Sequence, residues 1–138
     1  MKLILILLVA LFSFFALARS ETAYFAFKTH GSQHDFIFKL TDDGLIKSAR
    51  AILSGEEQLA THVMGRIRKV QASYNPHYSY HFDEKTISFF SMAIEVCDAT
   101  LQYTEDYLDE ACGAFLPGCF FCPWSSVITK EVKINELN

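Results

Sequence analysis

Between residues 23 and 29 the chain alternates, with Phe25 and Phe27 on one face and Ala26 and Lys28 on the other. Period-two alternation predicts a half-buried strand. Gly31-Ser32 marks a turn. Residues 35–40 alternate again, with Phe36, Phe38 and Leu40 set against Ile37 and Lys39, so the two segments predict an opening hairpin. Thr41-Asp42-Asp43 then offers N-cap oxygens. Leu45, Ile46, Ala49, Ile52 and Leu53 recur at helical spacing, and Gly55 stands where a C-cap glycine ends a helix. Residues 62–71 predict a third strand, with Val63, Ile67 and Val70 inward and Arg66, Arg68 and Lys69 outward. Tyr74-Asn75-Pro76 is a turn. Residues 78–82 form a short aromatic strand, and 83–85 a loop or one helical turn. Residues 92–97 are apolar except for Glu95 and predict a central strand.

Asp98 or Thr100 caps a second helix with the stripe Leu101, Thr104, Leu108 and Ala111/Cys112, stopped by Gly113. Residues 126–134 alternate as a closing strand. The expectation is an α+β fold, a mostly antiparallel sheet of five to six strands with two α-helices.

The first residues follow a different pattern. Behind Met1 and Lys2, residues 3–15 carry no charge and one polar residue, Ser13. That is the apolar length of a signal peptide, and it falls short of the roughly 20 residues that span a bilayer. Ala16-Leu17-Ala18 supplies the small-x-small pattern of a cleavage site. Residues 1–18 are therefore expected to be a signal peptide and residues 19–138 a single secreted domain. Losing Lys2 leaves 11 basic against 16 acidic residues, a net charge of −5. This balance gives no basic footprint for nucleic acid. The final residues, Ile134-Asn135-Glu136-Leu137-Asn138, carry no lipidation or retention signal, and no stable membrane anchor is expected.

Secretion changes the meaning of the cysteines Cys97, Cys112, Cys119 and Cys122. An even count in an oxidising compartment reads as disulfides, here two with three possible connectivities. The pairing expected is Cys97–Cys122, tying a strand to the distal loop, with Cys112–Cys119 closing a short loop at the end of a helix. The CxxC of Cys119 and Cys122 lies between Pro117-Gly118 and Pro123, in a loop rather than at the helix N-terminus of a redox site. A zinc site would want another spacing or histidine ligands, so no metal is expected.

No nucleophile elbow, phosphate loop, dinucleotide fingerprint or cysteine–histidine protease signature is present, and no cofactor is expected. The chemistry-bearing candidates form a constellation. Glu95 lies in a stretch otherwise fit for a core, where a carboxylate must be paired or neutralised; the plainer reading places it on a wet sheet face. His62 and Arg66, four apart on one strand, share a face and suit acid–base work or anion binding, or simply solvent. Tyr80 and His81 belong to an aromatic run, Tyr74 to Phe82, that suits sugar or peptide surfaces and equally plain strand packing. His77 and His81 could meet a metal, but no acidic partner stands in a metalloprotease spacing. The acidic face of the second helix lacks a calcium loop. Trp124 is a loop anchor or a ligand platform.

Taken together, several runs resemble a known family. They are His62-Val63-Met64-Gly65-Arg66-Ile67, Tyr74-Asn75-Pro76, Ser79-Tyr80-His81 and Ala93-Ile94-Glu95-Val96-Cys97-Asp98-Ala99-Thr100. Leu108-Asp109-Glu110-Ala111, Gly113-Ala114-Phe115-Leu116-Pro117-Gly118 and Cys122-Pro123-Trp124 extend the likeness. The chain from about residue 23 to 132 resembles small secreted domains of bacteria and lower eukaryotes, named for the N-terminal domain of a protein described as calmodulin-binding. The resemblance implies that Cys97 and Cys122 belong to the shared motif and that Cys112 and Cys119 are additions. Calmodulin binding by this chain is not expected, because calmodulin targets are basic amphipathic helices and the second helix here is acidic.

The function expected is a secreted, non-enzymatic binding module for a protein or glycan ligand. The alternative is a small extracellular hydrolase using Glu95 with His62 or His81.

Overall fold

The rings that alternate along the first two strands meet in a single aromatic core. A computed structural model describes residues 20–137; the predicted signal peptide, residues 1–18, lies outside them. β1 (Ala23–Lys28) pairs antiparallel with β2 (Phe36–Leu40), setting Phe25 opposite Phe38 and Phe27 opposite Phe36. On its other edge β1 pairs antiparallel with a late strand, Val127–Val132. All four phenylalanines are fully buried.

The helix α1 (Asp43–Ser54) starts and stops on local signals. Asp42 Oδ1 accepts the Leu45 N–H at 2.9 Å, and Gly55 ends the helix with φ 84°, a left-handed conformation that favours glycine. Its Ile46 and Ala49 are buried in the main core. Arg50 reaches out of the helix to Glu131 at 2.7 Å and Glu21 at 2.6 Å.

A second layer forms around β3 (His62–Arg68). β4 (His81–Phe82) and β5 (Ser88–Phe90) pair antiparallel with its end and its beginning, joined by a 3₁₀ turn at Glu84–Thr86. There Thr86 Oγ1 accepts the Arg66 N–H and the Arg66 carbonyl accepts the Asp83 N–H. β6 (Ala111–Cys112) and β7 (Phe115–Pro117) make a small parallel pair. β8 (Phe120–Phe121) pairs with β3 at Gly65 and Arg66, and β9 is the strand Val127–Val132 beside β1. Gly65 leaves room for a ring of its own layer: an added Cβ would stand 3.0 Å from the Phe82 side chain. Among the described residues the fold is α+β with two α-helices and mostly antiparallel pairing, stapled by Cys97–Cys122 and Cys112–Cys119.

Four predicted elements differ. The central strand at residues 92–97 does not form: residues 92–94 are coil, and Glu95–Cys97 is a 3₁₀ turn. Residues 88–90 pair with the beginning of β3 instead, and Cys97 is drawn across to Cys122, whose N–H donates to the Cys97 carbonyl at 2.7 Å. The second helix, α2 (Leu101–Asp106), keeps its Thr100 cap but lasts six residues, and Leu108–Glu110 continues as 3₁₀. Glu105, Asp106, Asp109 and Glu110 crowd the end of the helix where the backbone dipole is already negative. β3 stops at Arg68 because β4 offers only two residues to pair with, and Val70 is exposed rather than inward. Of the aromatic strand at 78–82 only His81 and Phe82 pair; the Tyr80 carbonyl is taken instead by Asn75.

Asn75 is fully buried and bridges the layers: its Oδ1 accepts the Ile37 N–H at 2.8 Å and its Nδ2 donates to the Tyr80 carbonyl at 3.0 Å. Asn75→Ala strands both backbone groups. Urea unfolding is expected to show a loss of about 2–4 kcal/mol with the m-value unchanged.

Candidate functional site

The segment expected to be core strand exposes three large apolar side chains. Met92 is 83% exposed, Ile94 69% and Val96 53%. Isolated surface hydrophobics are ordinary, but three large ones at alternate positions of one loop form a contiguous patch. The loop is held firmly. The Cys97–Cys122 disulfide and the Cys122 N–H bond to Cys97 anchor its end, and Asp98 Oδ1 accepts the Trp124 N–H at 2.8 Å.

Between this loop and the second layer lies a groove of about 450 Å³. Met64 of β3 and Phe120 of β8 line it together with Cys97, Pro117 and the loop's apolar side chains. Beneath it Phe90, Cys97 and Cys122 form a small buried cluster of their own. The volume falls within the range of ligand pockets, and the lining is almost wholly apolar.

β3 presents a polar stripe beside the groove, because alternate residues share a face. His62 and Arg66 flank Met64 on that face. Arg66 is exposed, lies 5.3 Å over the Phe120 ring, and has no carboxylate partner among the described residues. His62 donates from Nδ1 to the Ser126 carbonyl at 2.8 Å, which fixes its tautomer, and its ring packs 5.4 Å from Phe90.

The remaining sequence candidates are scattered. Glu95 is exposed on its 3₁₀ turn, and its side chain makes no hydrogen bond or ion pair among the described residues. The buried-carboxylate premise is thereby corrected: the run is apolar but faces solvent. Tyr80 is fully buried and donates its hydroxyl to the Leu101 carbonyl at 3.0 Å. His81 donates to the Val70 carbonyl at 2.6 Å, opposite Arg68 at the far end of β3. Six residues of strand separate that rung from His62, roughly 20 Å at about 3.3 Å per residue. Trp124 is 38% exposed on the turn beside Asp98. His77 does not meet His81; it stacks on His34, ring centroids 4.1 Å apart. The structure thus brings His62 and Arg66 onto one face and leaves Glu95, Tyr80, His81 and Trp124 without a common centre. Met92, Ile94 and Val96 escaped the sequence reading because an apolar run reads as a buried strand, and here the run forms a loop in solvent.

A sequence-family model described as the BP-74 N-terminal domain matches residues 21–135, and the chain belongs to this family. Comparisons with curated proteins and with solved structures found no match.

Two outcomes test these assignments. Burial pushes the Tyr80 phenol well above its usual value near 10, and Tyr74 is pushed up to about 12, chiefly by burial as well. The folded protein keeps protons that the unfolded chain releases, so stability falls as pH rises past about 10. Tyr80→Phe flattens part of that fall in urea midpoints taken between about pH 8 and 11. The disulfides span 25 and 7 residues, and replacing each pair by serine is expected to cost about 3–4 and about 2 kcal/mol in thermal unfolding.

Proposed function

We propose that this member of the BP-74 N-terminal domain family is a secreted, non-enzymatic interaction module. In this reading residues 19–138 act as one domain after loss of residues 1–18, and the groove at Met92, Ile94 and Val96 seats an apolar, acid-bearing segment of a partner protein. The observation that carries the proposal is the fixed exposure of those three side chains. A small domain that holds large aliphatics in water on an anchored loop forgoes about 1.5–3 kcal/mol of burial for each, which a docked partner restores. Arg66 at the groove's edge, free of acidic partners among the described residues, sets the sign of the charge expected beside the partner's apolar side chains.

Secretion is supported by the two disulfides and by the absence, among the described residues, of any helix long and apolar enough to cross a membrane. Calmodulin is not the partner proposed. α1 carries only Lys47 and Arg50 as cations, Arg50 is engaged with Glu21 and Glu131, and α2 has no cation. The hydrolase alternative is less favoured in this reading, since among the described residues Glu95 makes no hydrogen bond to His62 or His81, whose Nδ1 atoms meet the Ser126 and Val70 carbonyls.

A synthetic peptide library pairing Leu, Ile or Phe with a neighbouring Asp or Glu, with Lys-bearing controls, tests the reading. Acid-bearing peptides are expected to bind in preference to the controls. Ile94→Asp should weaken them by more than tenfold, and Arg66→Glu should turn the preference toward the lysine peptides. Binding that ignores both substitutions, or no binding at all, overturns the groove as the docking site.

A further inference from the structure

The loop that walls the groove has the composition assigned to the groove's partner. It reads Met92-Ala93-Ile94-Glu95-Val96, aliphatic side chains around one acid. Met92, Ile94 and Val96 stand in solvent. So does Glu95, which makes no hydrogen bond or ion pair among the described residues. Arg66 of β3 lies over the Phe120 ring, exposed and with no carboxylate partner among the described residues. An apolar hollow beside an unengaged cation and an apolar loop around an unengaged anion therefore belong to one surface.

Within one chain the two charges do not pair, but two copies of the chain offer each what it lacks. Glu95 is one residue, about 3.8 Å along the backbone, from both Ile94 and Val96. When those aliphatics enter the groove of another copy, beside its Met64 and Phe120, the carboxylate is carried to the rim where Arg66 stands. Hollow and loop are adjacent, so seating the first copy's loop in the second also brings the second's loop to the first. Such a contact closes on itself about a two-fold axis. Little ordering precedes it, because the Cys97–Cys122 disulfide and the Asp98–Trp124 bond already hold the loop.

We propose that the partner seated in the groove is a second copy of this chain, giving a two-fold homodimer joined through the 92–96 loops, with Arg66 of each copy paired to Glu95 of the other. The proposal rests on the groove's reading as a docking site and names its occupant.

The test is sedimentation equilibrium of the secreted, disulfide-bonded protein. A reversible dimer with no larger species is expected, half dissociated on the order of 10 µM, as suits a contact at the small end of the interface range. Arg66→Glu and Glu95→Arg each bring like charges together and should weaken the dimer at least tenfold, and the double exchange R66E/E95R should recover it. A dimer indifferent to both single exchanges, or a double exchange that stays monomeric, overturns the proposal. A monomer at every concentration overturns it too, and the acid-bearing peptides then separate the two readings. If they bind that monomer, the groove docks a different protein; if they do not, the groove's reading as a docking site falls as well.

Discussion

Phe36 is the position on which the two layers depend. Its ring lies 5.1 Å from Phe27 within its own sheet, 5.4 Å from Phe82 in the second layer, and 5.3 and 5.2 Å from Tyr78 and Tyr80 in the connection between them. Offset and edge-on ring pairs at these separations are favourable beyond their buried area. A protein this small has little interior, and phenylalanine is the commonest residue buried in it, from Phe25 in β1 to Phe121 in β8. The consequence reaches the surface. Strands whose inner residues are committed to this cluster send their alternate residues outward, and Met64 of β3 is one that reaches the groove.

Local signals were legible where they suffice to determine the structure. α1 begins at the cap Asp42 and stops at Gly55 because both ends are written within a few residues. The hairpin of β1 and β2 was legible for the same reason, as was the shared face of His62 and Arg66, and both disulfides pair as expected. Glu95 shows the opposite case. Its flanking residues have strand character, but pairing is decided by distant residues, and residues 88–90 rather than 92–97 pair with β3. Tyr80 reads as a candidate surface residue from its polar tip, yet the Leu101 carbonyl receives that tip inside the core. Short elements such as β6 to β8 were not legible at all. Residues 112, 116 and 119 there are non-glycine yet have φ of 71°, 48° and 66°. Propensity reserves that region for glycine, at about 1–2 kcal/mol for other residues, so only the assembled fold specifies it.

The groove offers area without polarity, with direction supplied at its rim by one arginine over an aromatic ring.

The two staples differ in what they ask of the unfolded chain. Cys112 and Cys119 are 7 residues apart and Cys97 and Cys122 are 25 apart, so the first encounter is entropically cheaper and, absent other structure, comes first. The small loop also carries Cys119, whose carbonyl accepts the Ile67 N–H at 2.9 Å and so sets how β8 lies along β3. Cys122 follows three residues later, its distance from Cys97 determined by that alignment. A local covalent bond thus acts as a jig for a remote one, giving oxidative maturation of the domain a preferred order without an instruction from outside the chain.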